Sequence, residues 1–381
     1  MKIAMVSTWK AKCGVGEYCE RLCNALSKDV ELKIISEMTS KELPSINPEI
    51  VIPYVRCYIR GGAYDGTLKN ILEFNPDLVH IQFESSMYQE SYNPNGLYMQ
   101  FLDSLHQNGF KTVMTFHNII PKPNWFNDEI KQITNWYNGL GSKIICGNEA
   151  TTQEFLKWSP KGDATTILLG STIFDFIPRS EAISKLMLDK DNIYIVQPGF
   201  FGGDKGMVRL VKAMPEILKK YPQAKLVFAG GLHPFAPEAW KIHTRDCIKE
   251  ILKLKLTDSI LPLGRFVDET ELNLWLGAAN IVMLNYHWVS GLYSTSASSH
   301  RVLCANRPII MNSEDVRLTE YIDGINCCKT DDTHLVDSIF KCLEDKSYAE
   351  KISAGALAYA HETTFEKIAD KHLLIYKELL K

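Results

Sequence analysis

No apolar run in the chain approaches the roughly 20 residues that span a bilayer, and none of the 10 cysteines forms a C-x-x-C pair. Nor is there a surplus of positive charge: 42 Lys and Arg stand against 45 Asp and Glu, for a net charge of −3. Stable nucleic-acid binding is therefore not expected, since it normally draws on a basic face. The cysteines are scattered, at Cys13, Cys19, Cys23, Cys57, Cys146, Cys247, Cys304, Cys327, Cys328 and Cys342. Such scatter in a long chain argues against a secreted disulfide framework, so reduced thiols and a cytoplasmic location are expected. Cys13, Cys19 and Cys23 fit no standard zinc spacing. The opening stretch from Lys2 to Lys10 is too short for a signal-peptide core and no small-residue cleavage site follows it. With 23 Gly and 16 Pro there is no low-complexity linker.

What is present is an ordinary globular composition, 45% hydrophobic and 23% charged, over 381 residues. At roughly 150 residues per domain, that length implies two or three cores. Short apolar runs alternate with helical-period segments, the pattern of βαβ units around parallel sheets. The first series of strands covers Ile3 to Val6, Leu32 to Ile35, Leu78 to Ile81, Thr112 to Phe116 and Lys143 to Cys146. Helices are expected at Glu17 to Leu26, Thr67 to Phe74, Leu97 to Gln107, Asp128 to Tyr137 and Glu149 to Trp158. The pattern then restarts, with strands at Ile193 to Gln197, Lys225 to Phe228, Ile260 to Leu263, Ile281 to Leu284 and Pro308 to Met311. The accompanying helices are Met207 to Lys220, Pro237 to Leu254, Glu269 to Gly277, Ser294 to Cys304 and Leu335 to Leu343. Gly170 to Asp191 reads as a linker. Near-continuous apolar strands imply sheets covered on both faces, hence two doubly wound α/β domains with a cleft between them. Their limits are 1–175 and 185–362. Phe365 to Leu380 is a one-faced helix that must dock on a core already built, and it is assigned to the first domain.

Open parallel sheets bind ligands at the carboxyl ends of their strands, so the loops that follow strands carry the candidate chemistry. After the first strand, Gly14 and Gly16 precede a helix, either as a simple turn or as a cradle that lets amides reach an anion. Thr115-Phe116-His117-Asn118 closes an apolar strand and offers His117 to the cleft or to its own loop; His80 has the same ambiguity. After the first strand of the second half, the glycine-rich Gln197 to Gly206 carries Lys205, fit for a phosphate or for solvent. After Ile281 to Leu284, the stretch Tyr286 to Ser296 offers hydroxyls that either cap a helix or meet a diphosphate. The helix from Pro237 spaces Lys241, Arg245, Lys249 and Lys253 along one face, a solvated stripe that leaves peripheral membrane contact open.

These loops, in this order, resemble the retaining GT-B glycosyltransferases of glycosyltransferase family 4. The resemblance is best in the second half: Lys205-Gly206, Pro222 to Gly231, Leu263-Gly264-Arg265-Phe266-Val267, Ala278 to Val282, and Ala305-Asn306-Arg307-Pro308. It implies a GT-B fold of two Rossmann-like domains with the terminal helix crossing back to the first, gripping a pyrophosphate between an opening helix and a lysine-bearing turn. The activity implied is transfer of a hexose-type sugar from a UDP- or GDP-sugar co-substrate, with no tightly bound cofactor, no metal site and no D-x-D motif in a position that suggests metal-dependent chemistry. Residue by residue, the likeness makes Lys205 the diphosphate lysine and His117 the histidine that contacts the transferred sugar. It adds Gly14, Gly16, Gly264, Arg265, Phe266, Tyr286, Ser290, Gly291, Leu292, Tyr293 and Ser294 to the donor site. Acceptor choice would fall to Glu17, Arg56, Arg60 and Glu84, the arginines lying in a loop from Arg56 to Gly66. The acceptor itself stays open among glycan, lipid, protein and modified nucleic acid.

Two departures stand out. The family's Glu-x7-Glu pair falls on Tyr293 and Arg301, and its arginine six residues before the lysine is Gly199. Arg265, His300 and Arg301 are candidates to restore the lost charge. The departures keep a non-catalytic sugar-nucleotide binder in play, beside a nucleotide-sugar 2-epimerase of the same architecture.

Overall fold

The structure is a computed structural model. It describes residues 1–11, 13–39, 42–59, 62–84, 87–88, 96–119, 142–159, 163–202, 205–233, 236, 238–286, 293–294, 297–313 and 318–381. The expected helix Asp128 to Tyr137 lies outside the described residues, as do Arg60, Ser290, Gly291 and Leu292.

In chain order the first half runs β1 (Lys2–Ser7), α1 (Gly14–Leu26), β2 (Glu31–Glu37), β3 (Tyr54–Tyr58), α2 (Asp65–Phe74), β4 (Leu78–Phe83), α3 (Leu97–Gln107), β5 (Lys111–Phe116), β6 (Asn118–Ile119), β7 (Lys143–Cys146), α4 (Glu149–Trp158) and β8 (Ala164–Thr166). The second runs α5 (Arg179–Lys185), β9 (Ile193–Pro198), α6 (Met207–Lys220), β10 (Ala224–Ala229), α7 (Glu238–Lys253), β11 (Ile260–Pro262), α8 (Glu269–Ala278), β12 (Ile281–Leu284), β13 (Tyr293–Ser294), α9 (Ala297–Val302), a 3-10 turn at Leu303–Ala305, β14 (Ile309–Asn312), β15 (Cys328–Thr330), α10 (Leu335–Glu344), α11 (Lys346–Glu362) and α12 (Phe365–Leu379). No helix among the described residues is long and apolar enough to cross a membrane.

Two compact units result. Unit 1 comprises residues 1–170, 290–297 and 363–381; unit 2 comprises 171–289 and 298–362. Unit 1 holds a seven-stranded parallel sheet in the order β3-β2-β1-β4-β5-β7-β8, and unit 2 a six-stranded one in the order β11-β10-β9-β12-β14-β15. In each the order reverses once, between β1 and β4 and between β9 and β12, which makes a topological switch point of each pair.

The fold follows from apolar runs that must be covered on both faces. In unit 1 one sheet face, with Val6, Val79, Ile81, Phe83 and Met114, packs under α2 and α3. The other, with Ile3, Met5, Leu78, Val113 and Ile145, packs under α1 and α12. The terminal helix starts where Thr364 Oγ1 accepts from the Lys367 amide. It buries Ile368, Leu373, Ile375 and Tyr376. At about 1.5–3 kcal/mol per large apolar side chain, these four offset the entropy of ordering the helix.

Three local expectations need correction. The stretch from Arg56 is not one loop, because Tyr54–Tyr58 forms the edge strand β3. An edge strand is half exposed and lacks the continuous apolar run that marks central strands. The linker carries a helix, α5, which buries Ala182 and Ile183 in the same core as α8. Finally, Ser294 does not open a helix: α9 starts at Ala297, while Tyr293–Ser294 pairs antiparallel with Asn118–Ile119 inside unit 1.

Candidate functional site

In unit 1 the chain leaves β1 at Ser7 and enters α1 at Gly14. Ser7 Oγ and Thr8 Oγ1 are buried there without a partner among the described residues. Gly14 is exposed and Gly16 buried in the first turn of α1, whose N-cap residue Cys13 makes no side-chain cap bond. The amides that open the helix carry the positive end of its dipole. Glu17 accepts from Arg21 one turn on, at 3.1 Å.

Polar residues replace apolar ones toward the carboxyl ends of β4 and β5, on the face under α1 and α12. Along β4 the series is Leu78, His80, Gln82; from β5 it is Val113, Thr115, His117. The period of two keeps each series on one face. His117 is 9% exposed, whereas His80 and Gln82 are fully buried. The His117 ring meets Tyr18 edge-on at 5.1 Å. Its Nε2 lies 2.8 Å from Gln82 Oε1. Burial lowers its pKa to about 3, so the ring is neutral at neutral pH. Glu84, just past β4, accepts from Asn118 Nδ2. The antiparallel pair Tyr293–Ser294 therefore places backbone from far along the chain one residue from His117.

Arg56 is committed elsewhere. Its guanidinium donates to Glu42 Oε1 at 2.8 Å, to the Glu37 carbonyl at 2.9 Å and to the Trp9 carbonyl at 3.0 Å. It stitches β2, β3 and the post-β1 loop together.

In unit 2 the loops after β9, β10 and β11 meet backbone to backbone. A Cβ at Gly230 would lie 1.9 Å from the Gly199 carbonyl oxygen, so only glycine admits this approach. Gly199 itself sits at φ +109°, with a Cβ position 3.0 Å from Ser298 Oγ. A larger side chain at 199 would be strained in that backbone conformation. Lys205 follows, its carbonyl accepting from Gln197 Nε2 at 2.8 Å, and the Gly206 carbonyl accepts from Asn285 Nδ2 at 3.2 Å. The loops after β9 and β12 are thus tied across the switch point. There Lys205 Nζ stands 3.7 Å above the ring of the buried Tyr286, and Lys205 itself lies two residues before α6 begins at Met207.

Gly264, Arg265 and Phe266 form the post-β11 loop. Arg265 makes a two-armed pair with Glu271, both contacts 2.6 Å, and Trp275 Nε1 adds a third bond to that carboxylate at 3.1 Å. Phe266 is 39% exposed and lies near Phe200, which meets His233 edge-on at 4.8 Å. The other basic candidates are also matched: His300 pairs with Glu320 at 3.0 Å and Arg301 with Glu269 at 2.7 Å. The α7 stripe pairs within its own helix, Lys241 and Arg245 with Glu238, Lys249 with Asp246, and Lys253 with Glu250.

Within unit 1 the structure thus gathers Gly14, Gly16, Glu17, Glu84, His117 and the Tyr293–Ser294 backbone; within unit 2 it gathers Lys205 with Tyr286, and Gly264 and Arg265 with Phe266. Gln82 and Tyr376 were not among the sequence candidates: Gln82 is marked only by the alternation of polar groups inside β4, and Tyr376, on α12, has no local signal.

No protein-family model and no curated protein matches the chain. Solved structures do. A glycosyltransferase from Rickettsia africae is 17% identical with a TM-score of 0.78, covering 100% of this chain and 98% of that one. Anabaena HepE in complex with UDP is 14% identical with a TM-score of 0.76, covering 99% and 100%. Sucrose-phosphate synthase from Thermosynechococcus elongatus is 17% identical with a TM-score of 0.76, covering 100% and 99%. The likeness establishes the fold: this chain has the two-domain architecture of GT-B glycosyltransferases.

Proposed function

We propose that the protein is a retaining glycosyltransferase that moves a hexose-type sugar from a UDP- or GDP-sugar to an acceptor. The observation that carries this reading is the lysine at the switch point of the second sheet, held over Tyr286 two residues before the start of α6. An ammonium and a helix N-terminus together form an anion site. A UDP complex of a protein with the same fold supports a nucleoside diphosphate as that anion.

Breaking the donor's glycosidic bond leaves negative charge on the diphosphate and oxocarbenium character on the sugar. Lys205 and the amides that open α6 meet the first charge, and fixed dipoles of this kind lower the barrier without reorganising. Neutral His117 hydrogen-bonds the sugar and orients it. Phe266 and Phe200 offer aromatic surface to the base. The reading gives donor binding to the 185–362 region and acceptor binding to 1–175 with the terminal helix, in a cytoplasmic protein. The acceptor side takes Glu17, Arg56 and Glu84, each of which also has a partner within unit 1.

One observation favours a second reading. Arg265, His300 and Arg301, the residues able to replace lost family charges, are already paired with Glu271, Glu320 and Glu269. A protein that binds a sugar-nucleotide without turning it over fits that. The 2-epimerase gains nothing from these geometries. A panel of UDP- and GDP-sugars separates the readings, with calorimetry for binding and nucleoside diphosphate release for chemistry. Slow release without acceptor is the expected result. Binding without release selects the non-catalytic reading, and no binding of any nucleoside diphosphate removes both.

A further inference from the structure

Under α12 the polar residues of β4 and β5 form one continuous hydrogen-bonded chain. Tyr376 Oη lies 2.6 Å from His80 Nδ1, and His80 Nε2 lies 2.8 Å from Thr115 Oγ1 and 3.3 Å from Gln82 Nε2. Gln82 Nε2 lies 3.4 Å from Met5 Sδ, and Gln82 Oε1 lies 2.8 Å from His117 Nε2. His80, Gln82 and Tyr376 are fully buried and Thr115 nearly so.

The donors and acceptors along this chain can be worked out in sequence. A thioether only accepts, so the Gln82 group facing Met5 is its NH2, and its carbonyl faces His117. A carbonyl only accepts as well, so His117 Nε2 carries the hydrogen. The Gln82 NH2 also faces His80 Nε2, which must therefore present its single lone pair, shared between that NH2 and the closer Thr115 hydroxyl. Burial keeps His80 neutral, which puts its single N–H on Nδ1, donating to Tyr376 Oη. His372 is the other ring nearby, 5.7 Å from His80. It is neutral too, with Nδ1–H donating to the Ile368 carbonyl at 2.8 Å.

We propose that Tyr376, His80 and Gln82 are positioning residues that fix the tautomer of His117. They hold its proton on Nε2 and leave Nδ1 as a hydrogen-bond acceptor for a hydroxyl-bearing ligand. Through Tyr376, a residue of the terminal helix sets the hydrogen-bonding sense of a strand-end residue 259 positions earlier (376 − 117). Turned the other way, the Gln82 amide would make His117 a donor at Nδ1, which a sugar hydroxyl meets with its lone pairs instead. The catalytic consequence rests on the sugar-transfer reading above; the tautomer itself does not.

The test uses the full chain labelled with 15N-histidine. Long-range 1H–15N spectra distinguish Nε2–H from Nδ1–H rings, and His117→Asn identifies the His117 signals by omission. Wild type is expected to show Nε2–H at His117 and Nδ1–H at His80. Tyr376→Phe removes the acceptor for His80 Nδ1–H. The His80 proton then moves to Nε2, the Gln82 amide turns, and His117 becomes Nδ1–H. Gln82→Leu leaves His117 averaging between tautomers, and Gln82→Glu, which keeps an acceptor, restores Nε2–H. Unchanged signals from the remaining histidines verify the fold; if Tyr376→Phe does not fold, the Gln82 pair carries the same test. A His117 ring that is Nδ1–H in wild type, or Nε2–H in wild type, Tyr376→Phe and Gln82→Leu alike, overturns the proposal. With an active donor in hand, Tyr376→Phe is expected to lower kcat/KM about tenfold, the value of one misdirected hydrogen bond. Absence of turnover on every donor would sink the transfer reading alone, because the spectra report on the relay directly.

Discussion

The two sheets of the protein have matching strand orders but finish their carboxyl edges in opposite ways. Unit 1 sinks uncharged polar side chains, His80, Gln82, Thr115 and His117, into a hydrogen-bonded chain under a helix. Unit 2 closes its edge with backbone, glycine against glycine, and sets a formal charge on an aromatic ring. A buried neutral network gives direction, because each donor must find its acceptor. An ammonium just ahead of helix-start amides gives strength of field with little direction. On the sugar-transfer proposal, orientation falls to unit 1 and charge stabilisation to unit 2.

That division can be broken in four places. The largest effect is expected from Gly230→Ala. The new methyl group meets the Gly199 carbonyl oxygen, and neither backbone can yield without parting the β9 and β10 loops. A loss above about 4 kcal/mol is expected, read as a drop in the urea midpoint; a wild-type midpoint would mean the two loops are not held together. Next comes Lys205→Ala. The cation–π contact over the buried Tyr286 ring is worth about 1–2 kcal/mol, so the protein should stay folded. Turnover should fall about 10²- to 10³-fold, as when one preorganised electrostatic group is removed. Near-normal turnover with intact folding would take Lys205 out of the site.

The third concerns acid. Burial depresses the pKa of His80, of His117 to about 3 and of His372 to about 4, all below the ordinary 6.5. The unfolded chain gains these protons near pH 6.5 while the folded chain refuses them until much lower. Stability is therefore full above pH 6.5 and lost as pH falls toward the folded values. Each such histidine contributes up to about 1.4 kcal/mol per pH unit. His372→Asn should flatten the decline between pH 6 and pH 5 by about that amount, measured by urea unfolding at each pH; an unchanged slope would mean the histidine is protonated in the fold. The smallest effect is expected from Arg265→Ala. Its partner Glu271 is partly exposed, and a surface pair contributes about 1 kcal/mol at most. A larger drop in the urea midpoint would show that the post-β11 loop depends on it.

Much of this was readable beforehand where both faces of a strand are covered. The buried runs of β1, β4, β9 and β12 announce themselves, and α3, α4 and α6 have their full expected lengths. Two edges of unit 1 were not readable, although the edge strand β11 of unit 2 was: Tyr54–Tyr58 grades from exposed to buried without alternating and Ala164–Thr166 is too short for a pattern. Nor was the ladder between Asn118–Ile119 and Tyr293–Ser294, since a two-residue pairing of distant segments has no local signature. In the candidate site, His117 and Lys205 could be picked out because they stand just past apolar strands. Their settings could not. Tyr376 is 296 positions from His80, and no periodicity in one segment reports a partner that remote.

The homecoming of α12 has a consequence for how the molecule is made. Residues 1–170 leave the ribosome before 171–362, yet the sheet face holding Met5, Leu78 and His80 has only α1 over it until residues 365–379 follow them out. The unit synthesised first is thus the one completed last, and a polar, half-open flank must stay out of trouble while the entire second unit is translated.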